Sequence, residues 1–269
     1  MTEAVTDPMT DPMTDAVTPT VTGSGLAHDV WADRVAAAPT RTLADLRAAA
    51  GGRDRLLVFS AHPDDESIGA GRLLAAWRRS GGRARAVLAT AGEACVDHVG
   101  ARPDGLADRR LREWRAALAV LDVEAGETYG LPDSGLEGAA DALGAVVHAT
   151  LDAAGPLDDL VLLAPHPDDP HPDHRAVGRV VARAGASSGV PVWAFPVWMT
   201  YWADPAADLG GDLVHVSVDA ADHAAWRASV ACFPSQLQPL APGWGAVVPP
   251  AMLAHHDRQL LVLPTGGPR

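Results

Sequence analysis

Residues 56–66 read Leu-Leu-Val-Phe-Ser-Ala-His-Pro-Asp-Asp-Glu, an apolar run that ends abruptly in imidazole and carboxylate groups. An apolar run of this length, followed by a proline turn, predicts a buried β-strand over 56–61. The sequence that comes next predicts a helix over 67–80, which ends at Gly81 and Gly82. This part of the chain is therefore predicted to be a strand, a polar loop and a helix.

The same alternation continues along the chain. Further strands are predicted over 85–90, 159–165, 191–198, 213–218 and 259–263, and further helices over 28–37, 42–50, 106–122, 137–154, 174–186 and 220–231. Apolar strands that alternate with amphipathic helices predict an α/β fold with a Rossmann-like, mostly parallel sheet and helices on both faces. We expect a single domain over 26–269, after a tail at 1–25 whose Thr and Pro repeats predict disorder.

The composition excludes several classes of function. All 21 basic residues are Arg, so enzymes that need a lysine, such as Schiff-base enzymes and GKS/T phosphate-loop proteins, are excluded. Thirty-four acidic residues give a net charge of −13, which disfavours nucleic acid and anionic membrane surfaces as partners. Two cysteines and the lack of any apolar run of about 18 residues predict a cytoplasmic protein without disulfides or membrane insertion.

Two polar clusters follow predicted strands. The first cluster, residues 62–66, reads His-Pro-Asp-Asp-Glu, and the second cluster, residues 166–174, reads His-Pro-Asp-Asp-Pro-His-Pro-Asp-His. Ligands of doubly wound sheets lie beyond the carboxyl ends of the strands, so the two clusters are expected to meet in space. Together they predict one metal site.

The residue types suit a catalytic metal. A catalytic zinc ion needs three protein ligands and one open position. His62 and Asp65 can supply two ligands from one loop, and a histidine of the second cluster can supply the third. Asp64 then remains free to take a proton from water. His171 can stabilise an oxyanion or protonate a leaving group.

A simpler interpretation exists for each cluster alone. Pro and Asp are common in turns and helix caps, so a single His-Pro-Asp-Asp sequence can be ordinary loop structure. Two copies at strand ends, with four histidines between them, favour the metal site. The carboxylates of Asp168, Asp169 and Asp173 are then expected close to the metal, where a divalent cation offsets their charge.

The two clusters also match the motifs of a known family. Ala-His-Pro-Asp-Asp-Glu at 61–66 and His-Pro-Asp-His-Arg-Ala-Val-Gly at 171–178 resemble those of the PIG-L/LmbE family of zinc-dependent N-acetylglucosaminyl deacetylases. Shorter matches are Arg-Leu-Arg-Glu at 110–113, Leu-Pro-Asp-Ser-Gly-Leu at 131–136 and Ser-Gln at 235–236. The family includes deacetylases of low-molecular-weight thiols and of glycopeptide antibiotics.

The resemblance implies a role for each matched residue. The implied zinc ligands are His62, Asp65 and His174. Asp64 is implied as the general base that activates water, and His171 as the group that stabilises the tetrahedral oxyanion. Asp173 would orient a neighbouring imidazole. The positions that contact sugar hydroxyls in the family are occupied here by Arg110 and Asp133.

Three residues depart from the family pattern. Asp169 stands two residues before His171, where the thiol-pathway members have a tyrosine, and Phe233 replaces a histidine two residues before the Ser-Gln pair. The additional His166 repeats the first motif, so a ligand register that uses His166 stays open. His174 is favoured because it opens a predicted helix, as in the family.

Aromatic residues are concentrated near one predicted strand. The run comprises Trp193, Phe195, Trp198, Tyr201 and Trp202. Such a run is typical either of core packing along a strand or of an apolar wall beside a substrate. In the second case, Trp198 is expected to bind the substrate.

The clusters and the resemblance together predict a metal-dependent N-deacetylase. Its substrate would be a small glycoconjugate, from whose glucosamine unit the enzyme removes an N-acetyl or N-acyl group. Zn²⁺ is the expected metal, and two histidines with one carboxylate also suit Fe²⁺. The aromatic run and a composition typical of GC-rich genomes favour a natural product such as a glycopeptide antibiotic. The alternatives are a mycothiol-type thiol precursor as the substrate, or a catalytically silent sugar- or metal-binding protein.

Overall fold

An eight-stranded sheet forms the centre of the protein. The computed structural model describes residues 25–97, 100 and 103–264, so the predicted tail lies outside it except for Gly25. The strands are β1 (Thr40–Arg41), β2 (Arg55–Ser60), β3 (Arg83–Leu88), β4 (Glu124–Thr128), β5 (Leu160–Pro165), β6 (Val192–Phe195), β7 (Gly211–Val216) and β8 (Gln259–Pro264). They lie in the order β1-β7-β8-β6-β5-β2-β3-β4. In this described part of the chain only β8 is antiparallel to its neighbours, which confirms the predicted mostly parallel sheet.

Helices connect most of the strands. After a 3-10 turn at His28–Trp31 they are α1 (Ala32–Ala37), α2 (Leu43–Ala49), α3 (Asp65–Arg79), α4 (Leu106–Val120), α5 (Ala140–Ala153), α6 (Pro172–Ser188), α7 (Met199–Trp202), α8 (Ala220–Val230), α9 (Pro234–Leu237) and α10 (Pro250–Ala254). Among the described residues, no helix combines the length and the apolar character that a membrane span requires.

Two apolar cores cover the two faces of the sheet. Val58 and Leu163 belong to the core that includes α3, α4 and α8, whereas their neighbours Leu57 and Leu162 belong to the core that includes α5 and α6. Successive side chains of a strand point to opposite faces, so β2 and β5 are buried on both. This is why their sequences are continuous apolar runs, and the predicted helices on both faces are confirmed.

The fold brings the two polar clusters together. β2 and β5 are adjacent and parallel, with Arg55 opposite Leu160 and Val58 opposite Leu163. Each cluster follows one of these strands, so both emerge at the same edge of the sheet. α3 begins inside the first cluster and α6 inside the second.

Two glycines allow α3 and α6 to approach the strand ends closely. A Cβ atom on Gly69 would lie 2.4 Å from Cδ2 of Phe195, and one on Gly178 would lie 2.4 Å from the carbonyl oxygen of Pro165. Both distances are far below van der Waals contact. Glycine at these positions therefore lets the two helices that carry the clusters pack against β5 and β6.

Several elements are not predicted by the sequence. β4 has the sequence Glu-Ala-Gly-Glu-Thr without an apolar run, and in the described structure it pairs only with β3, at the edge of the sheet. The strand predicted over 191–198 ends at Phe195, and α7 begins soon afterwards at Met199. A helix of one turn, such as α7, is too short to show a hydrophobic period.

Candidate metal centre and active site

The first cluster is fixed by the start of α3. Oδ2 of Asp65 accepts hydrogen bonds from the backbone N–H groups of Ala61 at 2.8 Å and His62 at 2.9 Å. Asp64, just before the helix, has a φ of 130° and a ψ of −23°. Such a conformation costs a residue other than glycine about 1–3 kcal/mol and is concentrated at functional sites. The strained turn gives the two adjacent carboxylates different surroundings.

The second cluster is fixed by the start of α6. His171 is the N-cap residue, and its Nδ1 accepts a hydrogen bond from the backbone N–H of Asp173 at 3.2 Å. The Asp173 carboxylate accepts hydrogen bonds from the backbone N–H groups of Ser134 at 2.7 Å and Leu136 at 3.0 Å. The His171 ring and the Asp173 carboxylate are therefore held by the main chain.

Three donor atoms from the two clusters lie close together. Nδ1 of His62 is 3.1 Å from Nε2 of His174, and Nε2 of His174 is 3.0 Å from Oδ1 of Asp65. The third side of the triangle, from Nδ1 of His62 to Oδ1 of Asp65, measures 3.9 Å. Ligands about 2.0–2.1 Å from a tetrahedral zinc ion are about 3.3 Å apart. These donor types and spacings fit such an ion.

Further carboxylates contact the opposite nitrogens of the two rings. Nε2 of His62 lies 3.1 Å from a carboxylate oxygen of Asp133 and 3.1 Å from one of Asp173. Nδ1 of His174 lies 3.3 Å from Oδ1 of Asp169. Carboxylates in this position fix the orientation of metal-binding histidines and make their free nitrogens more basic. The surroundings of both rings therefore match those of metal ligands.

The electrostatics of the centre favour positive charge. Burial alone would lower the pKa of both histidines, but carboxylates outweigh it. Asp133 helps to raise the pKa of His62 well above its usual value, and Asp65 helps to raise the pKa of His174 to about 9. The pKa of Asp65 is lowered despite burial, mainly by His174. A divalent cation in this position would be stabilised by the same carboxylates.

Asp64 differs from Asp65 in its partners. Its Oδ2 lies 3.4 Å from Nη2 of Arg110, whose guanidinium also donates hydrogen bonds to the carbonyl oxygens of Gly92 at 2.7 Å and Pro63 at 2.8 Å. Burial raises the pKa of Asp64 to about 7, and the charge of Arg110 opposes this rise. A carboxyl group with such a pKa is able both to accept and to return a proton near neutral pH.

His171 lies against both ligand candidates. Its ring stacks on His174 with centroids 4.6 Å apart, and it meets the edge of His62 at 4.9 Å. Burial lowers the pKa of His171 to about 3, with the charges of His174 and His62 as further causes. The ring is therefore neutral at neutral pH, and Nδ1 is occupied by the N-cap hydrogen bond.

A cavity of about 540 Å³ is lined by the three metal-ligand candidates together with Asp64 and His171. It is of the size typical of small-molecule sites. Its lining includes Trp198 and Trp202, which stack at 4.1 Å, together with Tyr201 and Trp244. The aromatic run therefore has two parts, because Trp193 and Phe195 are buried in the apolar core while the later residues line the cavity.

Asp169 joins the aromatic part of the cavity to the metal-ligand candidates. Its Oδ2 accepts hydrogen bonds from the backbone N–H groups of Val197 at 3.2 Å and Trp198 at 3.0 Å. Its Oδ1 accepts one from the backbone N–H of His171 at 3.0 Å and lies beside the His174 ring. One buried carboxylate thus links the end of β6 to the start of α6.

Most of the residues that the sequence assigns to the site lie together in the structure. The residues that line the one cavity are His62, Asp64, Asp65, Arg110, Asp133, His171, Asp173, His174 and Trp198. The expectation for Asp168 is wrong, because its side chain is exposed and pairs with Arg179 at 3.0 Å. His166 lies apart from the three donor atoms, and its ring nitrogens contact the carbonyl oxygen of Leu209 and the backbone N–H of Asp168.

Other cavity residues are not assigned a role by the sequence. Gln236 lines the cavity, as do Trp244 and Met252 from the segment before β8. The Ser-Gln pair is a signal for Gln236, since it matches the family pattern. Trp244 lies in an irregular segment with no period, so sequence alone does not connect it with the clusters.

A stretch of this chain matches the model of a known protein family. Residues 57–185 match the PIG-L model, which is described as GlcNAc-PI de-N-acetylase. The predicted family resemblance is confirmed. The matched segment includes both clusters, and it runs from β2 to within α6.

Named relatives are similar to part of this chain. The 1D-myo-inositol 2-acetamido-2-deoxy-alpha-D-glucopyranoside deacetylase of Salinispora arenicola is 33% identical over 184 residues, which cover 60% of this chain and 59% of that protein. The enzyme of the same name from Streptomyces avermitilis is 35% identical over 162 residues, 52% of this chain and 55% of that protein. The matches thus span less than two thirds of either relative.

Solved structures share the fold at lower identity. The deacetylase of the A40926 pseudoaglycone superposes with a TM-score of 0.59 and 21% identity, covering 78% of this chain and 97% of that one. The zinc-inhibited form of teicoplanin deacetylase superposes with a TM-score of 0.57 and 19% identity, covering 68% and 84%. The conserved protein TT1542 of Thermus thermophilus has a TM-score of 0.55 and 23% identity, over 78% and 94%. The Rossmann-like fold is thereby confirmed.

Proposed function

We propose that this protein is a metal-dependent N-deacetylase of an N-acylated glucosamine unit. The observation that carries the proposal is the triangle of donor atoms from His62, Asp65 and His174, with Asp64 and His171 beside it in one cavity. These three residues would hold the metal. A bound zinc ion would supply Lewis acidity to the acyl carbonyl group.

The side chains around the triangle supply the proton chemistry. Asp64 would take the proton of the water that attacks the acyl carbon and later return it to the amine that leaves. His171, neutral and capped at Nδ1, would donate a hydrogen bond from Nε2 to the oxyanion. Arg110 would hold Asp64 through its contacts with the carboxylate and with the carbonyl of Pro63. The reaction would yield a free amine and a carboxylate.

Contacts around His62 suggest positioning roles for two carboxylates. Asp133 and Asp173 both contact Nε2 of His62 and would keep the opposite nitrogen turned towards the metal. The resemblance implies a sugar contact for Asp133, which lines the cavity as well. We propose orientation of His62 as its main role, since its carboxylate already accepts a hydrogen bond from Ala94 at 2.6 Å.

The aromatic part of the cavity supports a substrate with an apolar portion. Trp198, Trp202 and Trp244 would contact the aglycone or the acyl chain of a natural-product glycoconjugate, such as a glycopeptide antibiotic. A mycothiol-type precursor, N-acetylglucosaminyl-inositol, is the second candidate. The named relatives that are 33% and 35% identical to this chain favour it.

An assay on zinc-loaded protein tests the function and separates the candidates. Acetate release is measured side by side from N-acetylglucosaminyl-inositol and from an N-acetylated glycopeptide pseudoaglycone. Faster release from the glycopeptide supports the first candidate, and release confined to the inositol compound supports the second. Bound zinc without release from any N-acyl amino sugar would show a silent binding protein and contradict the proposal.

A further inference from the structure

Gln236 carries a buried polar atom that no residue of the described chain satisfies. Its side chain lies on α9, lines the cavity and is 1% exposed. Oε1 is buried and accepts no hydrogen bond from any of the described residues. A buried carbonyl oxygen without a donor is unfavourable, and such atoms are rare in folded proteins. A ligand that supplies a donor would remove this penalty.

The orientation of the Gln236 amide follows from its neighbours. The Ser235 hydroxyl and backbone N–H both donate to the Glu113 carboxylate, the latter at 3.2 Å. A hydroxyl has a single proton, so the Ser235 oxygen can only accept from the amide, and it lies 2.9 Å from Nε2 of Gln236. The nitrogen of the amide is thereby assigned to the Ser235 side. The oxygen is left as the atom without a partner.

A second polar atom in the same cavity also lacks a partner. Nε of Arg110 is buried and donates to none of the described residues, while both terminal nitrogens donate to backbone carbonyls. Cys95 lies beside Gln236, with its Sγ 3.9 Å from Nε2 of the amide, and it lines the same cavity as Arg110. The cavity therefore offers an acceptor and a donor in one region. Ring hydroxyls of a sugar both donate and accept.

We propose that Gln236 is a substrate-recognition residue whose carboxamide oxygen accepts a hydrogen bond from a ring hydroxyl of the amino sugar. Ser235 and Glu113 are positioning residues, which hold the amide with its oxygen available. The inference rests on the proposed function for the identity of the sugar. The Gln236 contact would hold the sugar ring. It is separate from the residues that act on the acyl group and from the aromatic residues that line the cavity.

Binding measurements test the contact without relying on turnover. Calorimetric titration uses zinc-loaded protein with methyl N-acetylglucosaminide and with analogues that each lack one ring hydroxyl. The wild-type protein is expected to bind one analogue about tenfold more weakly than the parent, the order of one hydrogen bond. Gln236→Met is expected to bind the parent about tenfold more weakly and to lose the discrimination against that analogue. The control Gln238→Met, on an exposed residue of the same segment, should behave as wild type.

Each outcome decides the proposal. If Gln236→Met keeps the wild-type discrimination, if the wild-type protein binds all analogues equally, or if it binds none of these sugars, the proposal is wrong. If Gln236→Met does not fold, Ser235→Ala takes its place, because freeing the amide should reduce the same discrimination while the carbonyl remains. Acetate release is recorded in parallel. Lost discrimination in Gln236→Met without any acetate release from the wild-type protein would support the contact and refute the deacetylase function.

Discussion

The sequence His-Pro-Asp-Asp occurs twice after adjacent strands, and the two copies have different structural roles. In the first copy, Nδ1 of His62 lies 3.1 Å from Nε2 of His174 and its Nε2 contacts two carboxylates. In the second, both ring nitrogens of His166 contact backbone groups. Identical residue types at equivalent strand ends thus provide a candidate metal ligand in one case and a structural histidine in the other.

The residue after each copy explains the difference. Glu66 follows the first copy and allows α3 to begin at Asp65. Pro170 follows the second copy. The proline ring disfavours the helical conformation for the residue before it, so no helix begins at Asp169. α6 begins at Pro172 instead. The later start of the helix places His171 at its N-cap and His174 in its first turn.

Removal of the third ligand should have the largest effect. Substitution of a residue that only orients a metal ligand typically lowers metal affinity about 10–100-fold. His174→Ala is expected to lower zinc affinity by more than this and to abolish turnover. His166→Ala should keep its zinc, because its ring is bonded to backbone groups. Zinc content after dialysis, with thermal melting as a check of folding, distinguishes the two variants. Zinc loss in His166→Ala alone would reverse the assignment.

Substitutions of the third residue of each copy, Asp64 and Asp168, should also differ in their effect on turnover. Asp64→Asn keeps the shape of the side chain and tolerates the positive φ, but it cannot accept a proton. We expect turnover to fall about 10²–10⁴-fold while zinc stays bound. Asp168→Asn should leave turnover unchanged, since its side chain is exposed and pairs with Arg179. Equal turnover in both variants would remove Asp64 from the mechanism.

The contact between Nε2 of His62 and the carboxylate of Asp133 provides a third test. Asp133→Asn should weaken zinc binding about tenfold, because it replaces a carboxylate that orients the His62 ring. Competition with a zinc chelator measures the affinity, and steady-state kinetics on the same sample measures KM. A higher KM with unchanged zinc affinity would show that Asp133 contacts the substrate and does not position His62.

The smallest expected effect concerns pH and His166. Burial lowers the pKa of His166 below its usual value of 6.5, with Arg34 as a further lowering charge and Asp168 and Asp169 opposing. The unfolded chain then takes up a proton at a higher pH than the folded chain does. Stability contributed by neutral His166 is therefore full above pH 6.5 and is lost as pH falls towards the folded pKa, by at most about 1.4 kcal/mol per unit.

Denaturant unfolding of wild-type protein and His166→Gln at several pH values measures this slope. The variant has no group that titrates at this position, so its free energy of unfolding should decrease less between pH 6.5 and 5. Equal slopes would show that the His166 pKa is the same in both states. The variant is also expected to be less stable overall, but that constant difference does not affect the comparison.

Strong local signals account for what the sequence predicts well. β2 and β5 are buried on both faces, so continuous apolar runs predict them, and their polar ends predict where the clusters meet. β4 does not have this signal because it lies at an edge and is rich in Glu and Gly. Short helices such as α9 are determined by tertiary contacts, and they are invisible to periodicity.

Local sequence signals also predict the residue types of the site better than the orientation of its single side chains. The residue types of the clusters predict a metal centre, and the family motifs favour His174 over His166. Residue types and motifs do not predict that Asp168 points to solvent while Asp169 is buried, because this depends on how the chain turns before Pro170. The partner of His62 on the far side of its ring, Asp133, comes from a distant loop, and its orientation cannot be inferred from spacing.

The carboxylate of Asp169 has a mechanical consequence. It binds the backbone of Val197 and Trp198 with one oxygen and contacts the His174 ring with the other. A bulky substrate that displaces Trp198 would therefore also pull on the side chain that steadies His174. The position of Trp198 in the cavity wall and the orientation of the His174 ring are therefore coupled through a single buried carboxylate.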